Sequence, residues 1–194
     1  MFWGAKDSSS YFCEKPYGNS HYIAEYYNTI SAIPYILVGI YIYNVLKYSK
    51  IGISVVLIGL GTMLLHGTQR YYGQWADEMS MIFFCFSVIQ KLNKRINNYF
   101  LGVIYGIYYI FNENWFCFIC LFLVLVRYLF YLMKYKKKYK YKKIYTNRTI
   151  IIFKVSVLLW LIDQLACLTV GNVYLHSCWH IGTAFAILHG VIYL

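Results

Sequence analysis

Seven apolar runs alternate with short polar segments along this chain. They cover residues 22–47, 51–66, 77–92, 99–111, 114–133, 149–170 and 174–194. Folded as helices, most of these runs are long enough to cross about 30 Å of hydrocarbon, although the second and the fourth are short. The pattern predicts an all-α membrane protein with a single domain, residues 1–194, built as a seven-transmembrane helix bundle. Residues 1–20 are polar and mixed, and we expect them to lie outside the hydrocarbon.

The composition agrees with this prediction. Of the 194 residues, 60% are hydrophobic and only 13% are charged, against the roughly 25% of charged residues that is usual in soluble domains. The net charge of +11 would suit a nucleic-acid partner, but eight of the 18 basic residues crowd into the segment 134–148. Such a local cluster is not the basic face of a folded binding module, so we do not expect nucleic-acid binding.

Basic residues are distributed unequally between the predicted loops. The second, fourth and sixth loops hold only Arg70. The other three loops hold Lys47, Lys50, Lys91, Lys94, Arg95 and the eight basic residues of the segment 134–148. Cytoplasmic loops of membrane proteins carry the excess of Lys and Arg. The N-terminus is therefore predicted to lie outside or in a lumen, the C-terminus in the cytosol, and residues 134–148 in a basic cytosolic loop.

Three histidines and an aspartate fall at run ends that this topology places at one membrane face. His66 ends the second run, Asp77 begins the third, and His176 and His180 begin the last. The last two, spaced i and i+4, share one helix face. Taken alone, His66 is more simply an interfacial polar residue, and one histidine pair is weak evidence. Together, three nitrogen ligands and a nearby acid–base group are typical of a catalytic zinc site.

Two further polar residues lie inside apolar runs. Thr62 lies one turn before His66 on the same helix face, where its hydroxyl can equally well bond a backbone carbonyl of its own helix. Asp163, in the sixth run, can hydrogen-bond a metal-binding histidine and orient it. It can instead pair with Lys154 or Arg127, the basic residues within apolar runs. The residues alone leave these alternatives open.

Several spaced motifs resemble the alkaline ceramidase family. Residues 23–31 match the family pattern I-A-E-aromatic-x-N-T-x-S. The family also has a serine four positions before a histidine and an aspartate eleven positions after it, and Thr62, His66 and Asp77 match this spacing with threonine replacing the serine. The family's C-terminal motifs W-x-x-D-x-x-x-C and H-x-x-W-H match Trp160, Asp163, Cys167, His176, Trp179 and His180. The resemblance spans almost the whole chain.

This resemblance implies hydrolysis of the amide bond of ceramide, a lipid of the bilayer, to a sphingoid base and a free fatty acid. His66, His176 and His180 would hold zinc, which lowers the pKa of bound water and polarises a carbonyl. Asp77 would act as general base and then as general acid. Thr62 would stabilise the oxyanion with its hydroxyl.

A calcium site is also implied by the resemblance, with Glu14 and Glu25 among its ligands. However, Tyr11 stands where the family has an aspartate, and Pro16 stands where it has an asparagine. Two oxygen donors are therefore missing, and calcium prefers six to eight oxygen ligands. Calcium binding by this chain is therefore doubtful.

The resemblance further implies a disulfide between Cys13 and Cys167 in an oxidising lumen, and a location in the membrane of the endoplasmic reticulum or Golgi. No obligate protein partner is evident. Two other classes of protein fit part of the pattern. A receptor-like or scaffold relative with altered or lost catalysis would retain the metal site for structure. A zinc or proton transporter would need intramembrane acids along a path, whereas here they cluster at one face.

Overall fold

The computed structural model describes residues 1–111, 115–135, 142–170, 174–192 and 194. These residues form one five-residue helix and seven helices of 12 residues or more, with no strand among them. The helices are α1 (Tyr26–Ile30), α2 (Ile33–Asn44), α3 (Ser49–Thr68), α4 (Tyr71–Leu92), α5 (Asn98–Ile110), α6 (Trp115–Tyr135), α7 (Lys142–Val170) and α8 (Leu175–Ile192). The prediction of an all-helical protein is confirmed.

The first apolar run is divided between two helices. The Ser31 hydroxyl donates to the carbonyl of Asn28 at 2.9 Å, and the chain turns at Ser31 and Ala32 before α2 begins. Pro34 lies in the first turn of α2, where the missing N–H removes no helical hydrogen bond. A run that looks continuous in hydropathy therefore contains a helix break, and this break brings polar groups of α1 inward.

The basic segment 134–148 is less of a loop than predicted. Helix α6 continues to Tyr135, and α7 already begins at Lys142. Lysine favours helix almost as well as leucine does, so a helix can continue beyond the end of its apolar run. Residues 136–141, and residues 112–114 where the fourth and fifth apolar runs meet, lie outside the described residues.

Two helical stretches of the described chain are long and apolar enough to cross a membrane by length and composition, namely Ser49–Thr68 and Phe116–Tyr135. Helices α2 and α5 are short, with 12 and 13 residues. The bundle is thus consistent with an α-helical membrane protein.

Helix α3 packs between α2 and α4, and α8 packs against α7 and α2. The approach of α3 and α4 is close at Gly61, where an added Cβ would lie 2.7 Å from the backbone nitrogen of Asp77. Small residues permit such close crossings of helices in membranes. Gly61 therefore brings the neighbouring Thr62 of α3 against Asp77 of α4.

Polar contacts hold the N-terminal segment over the turn between α3 and α4. Arg70 pairs with Asp7 at 2.7 Å and donates to the carbonyl of Ala5 at 2.9 Å. The backbone N–H of Ser9 donates to the side-chain oxygen of Gln74 at 2.8 Å. The segment predicted to lie outside the hydrocarbon thus covers one end of the bundle.

Candidate metal centre

Three histidine rings meet at the end of the bundle that the N-terminal segment covers. His66 comes from the last turn of α3, and His176 and His180 come from the first two turns of α8. The ring centroid of His66 lies 5.0 Å from the ring centroid of His176 and 5.0 Å from that of His180. The ring centroids of His176 and His180 lie 4.5 Å apart. All three side chains are buried. The predicted convergence of these three residues is present in the structure.

The arrangement of the ring nitrogens fits a metal ion. One nitrogen from each ring lies within 4.8 Å of the others, and the Nε2 atoms of His66 and His176 are 3.3 Å apart. Nitrogen ligands bound tetrahedrally at about 2.0–2.1 Å would be separated by about 3.3 Å. Three imidazoles facing one another in a buried space also form a donor set that suits zinc.

Hydrogen bonds fix which nitrogen of two rings faces the centre. His66 Nδ1 bonds Glu25 Oε2 at 2.5 Å. His180 Nδ1 bonds the Ser31 hydroxyl at 2.8 Å, and this hydroxyl already donates its own proton to the carbonyl of Asn28. His180 therefore donates through Nδ1–H. In both rings Nε2 then carries no proton and can bind a metal, which is the usual orientation in such sites.

The start of α8 is positioned by groups from α1 and α7. Asp163 Oδ1 accepts the backbone N–H of His176 at 3.2 Å, and Ser177 donates its hydroxyl proton to Asn28 Oδ1 at 2.8 Å. Asp163 is fully buried, and its Oδ2 has no hydrogen-bond partner among the described residues. The sequence predicts that Asp163 bonds either a metal-binding histidine or a basic residue. In the structure it bonds His176, but it accepts the backbone N–H of that residue rather than a proton of the ring.

Thr62 and Asp77 form a pair beside the histidines. The Thr62 hydroxyl donates to Asp77 Oδ1 at 2.6 Å, instead of bonding a carbonyl of its own helix. Thr62 is buried and Asp77 is partly exposed. Because Thr62 lies four residues before His66 in α3, the pair is about 6 Å along the helix axis from that histidine. A carboxylate with a directed proton donor therefore stands near the metal centre.

Phe12 covers the histidines from the N-terminal segment. Its ring centroid lies 4.5 Å from that of His66 and 4.3 Å from that of His176. The next residue, Cys13, is joined by a disulfide to Cys167 of α7, with a Cα–Cα distance of 5.0 Å. The segment that carries this apolar cover is thus linked covalently to the bundle.

Sequence reasoning missed several residues of this site. Asn28 and Ser31 belong to the motif of residues 23–31 that resembles the alkaline ceramidase pattern, and this motif was the signal that could have found them. Phe12 stands where the alkaline ceramidase pattern has a tryptophan, next to Cys13, and this position was its signal. Gln69, whose amide donates to Glu25 Oε1 at 2.6 Å, had no comparable signal in this single sequence.

Glu14 is part of the framework rather than of the metal centre. Its two carboxylate oxygens accept the backbone N–H groups of Tyr27 and Asn28, each at 2.8 Å, so it caps the start of α1. Burial raises the pKa of the Glu14 carboxyl, and the two N–H donors oppose this shift.

Comparison with known proteins agrees with the sequence motifs and this geometry. The family model described as Ceramidase matches residues 4–194, and the chain therefore belongs to the ceramidase family. The resemblance noted in the sequence is confirmed.

The chain is 39% identical over 88 residues to an alkaline ceramidase of Arabidopsis thaliana, and 38% identical over 88 residues to alkaline ceramidase YPC1 of Saccharomyces cerevisiae. Each match covers 42% of this chain, but only 34% and 28% of the respective relative. These two matches thus span about a third of the relatives' lengths. Alkaline ceramidase 1 of Mus musculus is 25% identical over 215 residues, covering 93% of this chain and 77% of that protein.

Proposed function

We propose that this protein is a zinc-dependent hydrolase of the ceramide amide bond, which releases a sphingoid base and a free fatty acid within the membrane. The observation that carries the proposal is the buried cluster of His66, His176 and His180 beside the Thr62–Asp77 pair. Membership of the ceramidase family supports the choice of ceramide over other amides.

The residues of the site divide the work of amide hydrolysis. Zinc held by the three histidines would act as a Lewis acid that lowers the pKa of water and polarises the amide carbonyl. Asp77 accepts a proton from the attacking water, and the new carbon–oxygen bond forms. Asp77 then returns the proton to the amide nitrogen, and the carbon–nitrogen bond breaks.

Thr62 has two tasks in this scheme. Its hydroxyl donates to Asp77 Oδ1, which fixes the carboxylate in the orientation for proton transfer. Once Asp77 is protonated, it is a weaker acceptor, and the Thr62 hydroxyl can turn to the carbonyl oxygen as negative charge develops there.

An apolar cavity below the histidines offers room for a lipid chain. Apolar and aromatic side chains of α2, α3, α4, α6, α7 and α8 line it, as is typical of sites that bind apolar ligands. It begins at Tyr35 and Thr183, whose hydroxyls are hydrogen-bonded, and it extends along α8 to Val191. Since Thr183 is three residues after His180, we propose that a chain of the substrate enters here while its amide lies at the metal centre.

Two substitutions in the wall of this cavity are expected to shift chain-length preference in opposite directions. Ala186 and Ile187 both line the cavity. Ala186→Leu fills part of it and should lower kcat/KM for long acyl chains relative to short ones by about tenfold, whereas Ile187→Ala enlarges it and should favour longer chains. Competition between labelled ceramides of different acyl length measures both ratios. If the ratio of kcat/KM for long and short acyl chains were the same in wild type and both variants, the cavity would not be part of the substrate site.

The seven-transmembrane arrangement and its orientation are part of the proposal. Many large apolar side chains on the outside of the bundle support it, among them Leu37, Val124, Leu165 and Phe185, because such a surface suits lipid rather than water. The excess of basic residues in alternate loops favours an external or lumenal N-terminus and a cytosolic C-terminus. The membrane that we propose is that of the endoplasmic reticulum or Golgi. Glycosylation acceptors added before residue 1 and within residues 136–141 test this, and modification of the second site alone would reverse the orientation.

The central experiment is purification of the full chain in detergent, with zinc quantified alongside release of fatty acid from labelled ceramide. We expect about one zinc per chain, as in other sites with three histidine ligands, and fatty acid released in proportion to enzyme. Bound zinc without turnover of any ceramide would favour a receptor-like relative instead. Absence of zinc would contradict the assignment of the three histidines.

A further inference from the structure

We infer that Glu25 is the positioning residue of His66 in the metal centre, and that the glutamate pair Glu14 and Glu25 serves this chain without calcium. This inference rests on the proposed zinc centre and concerns how that centre is held. It assigns to Glu25 a task in the binding of zinc rather than of a second metal.

The contact between Glu25 and His66 is short and shielded from solvent. Glu25 Oε2 lies 2.5 Å from His66 Nδ1, and both side chains are 1% exposed. A carboxylate that accepts Nδ1–H holds the ring in one orientation and raises the basicity of Nε2 as a ligand. The charge also compensates for a dication in a buried site, which neutral histidines alone do not.

The backbone keeps the two residues in register. Glu25 N donates to the carbonyl of His66 at 2.9 Å, and Ala24 N donates to the carbonyl of Gly67 at 2.9 Å. The side chain of Glu25 has two more donors, since Gln69 Nε2 bonds Oε1 at 2.6 Å and Asn28 Nδ2 bonds Oε2 at 3.0 Å. Every orientation of the carboxylate other than this one would break at least one buried hydrogen bond.

Gln69 reaches Glu25 from an uncommon backbone conformation. Gln69 directly follows α3, and its φ of 53° lies in the left-handed region, which residues with a side chain adopt at a cost of about 1 kcal/mol or more. Glycine would adopt it more easily, but it would lack the amide that donates to Glu25. Gln69 therefore occupies a strained backbone position in which its side-chain amide donates to the Glu25 carboxylate that bonds His66.

The same residues do not fit a calcium ion. Both oxygens of Glu14 accept backbone N–H groups, and both oxygens of Glu25 accept side-chain N–H groups. Tyr11 is 75% exposed, and the ammonium of Lys6 lies 3.5 Å from the centre of its ring. The position where an aspartate ligand is expected thus carries an exposed ring that contacts a cation, and calcium would have to displace the N–H donors that point at the oxygens of the two glutamates.

Glu25→Gln and the matched variant Glu14→Gln separate the two assignments in the purified full chain. The readouts are the zinc dissociation constant, measured by competition with a chromophoric chelator, and binding of radioactive calcium by equilibrium dialysis. We expect Glu25→Gln to weaken zinc binding by about 10- to 100-fold, and Glu14→Gln to leave it unchanged. We expect no calcium bound by any form up to millimolar concentration.

The melting temperature of each metal-free form distinguishes positioning from stability, because a merely structural glutamate would lower it without changing the zinc affinity of the folded protein. If Glu25→Gln does not fold, Gln69→Ala carries the test, since it removes a donor to Glu25 and should also weaken zinc. Unchanged zinc affinity in the folded variant overturns the inference. The inference is also overturned if wild type binds calcium stoichiometrically and both glutamate variants fail to bind it. Failure of wild type to bind zinc overturns the proposed function itself.

Discussion

His176→Ala is expected to lose both zinc and ceramide hydrolysis. The substitution removes one of three ligands from a buried cluster, whose other members are His66 and His180. Loss of an outer partner of a ligand typically costs about 10- to 100-fold in metal affinity or activity, and loss of the ligand itself should exceed that range. Zinc content and fatty-acid release, measured on the same preparation, check both effects.

His21→Ala is the matched control for this prediction. His21 is an exposed histidine of the N-terminal segment, so its replacement removes an imidazole without touching the cluster. We expect wild-type zinc content and turnover. Equal activity of His176→Ala and His21→Ala would show that the histidine cluster is not the site of hydrolysis.

Asp77→Asn is expected to keep zinc but to lose turnover. Asparagine retains the oxygen that accepts the Thr62 hydroxyl, so the packing of α3 against α4 is preserved, but it cannot take up a proton from water. General acid–base groups contribute about 10²- to 10⁴-fold to rates, and kcat should fall by that factor. The two quantities to compare are kcat and zinc content per chain.

The neighbouring Glu78 provides the control for a carboxylate in the same turn. Glu78 is buried and accepts hydrogen bonds from Tyr108 at 2.6 Å and from Gln74 at 2.8 Å, whereas the Thr62 hydroxyl donates to Asp77. Glu78→Gln should change thermal stability more than kcat. If Glu78→Gln were inactive and Asp77→Asn active, the general base would have been assigned to the wrong carboxylate.

Much of the fold follows from hydropathy, but its helix boundaries do not. The all-helical class follows from long apolar runs, because a buried backbone must satisfy its own hydrogen bonds. The break between α1 and α2 depends on the side chain of Ser31 and on Pro34, and hydropathy does not register either. The start of α7 at Lys142 was missed because lysine ends an apolar run without ending a helix.

The histidine cluster could be predicted, because apolar runs that cross a bundle in alternate directions bring the end of α3 and the start of α8 to the same end. The pairing of Thr62 with Asp77 required the close crossing at Gly61, which only coordinates reveal. The residues that hold the histidines in place are still harder to predict from the sequence. Asn28 and Ser31 act through a helix of five residues, and local propensity does not predict so short an element.

The order in which a ribosome produces this chain has a consequence for the metal centre. His66 and Asp77 leave the ribosome early, whereas His176 and His180 belong to the last helix, some hundred residues later. A nascent chain without α8 has only one of the three histidines, His66, which Glu25 can already hold. The three histidines can therefore bind one metal ion together only after α8 has been synthesised, so a chain that stops before α8 is expected to lack the metal centre.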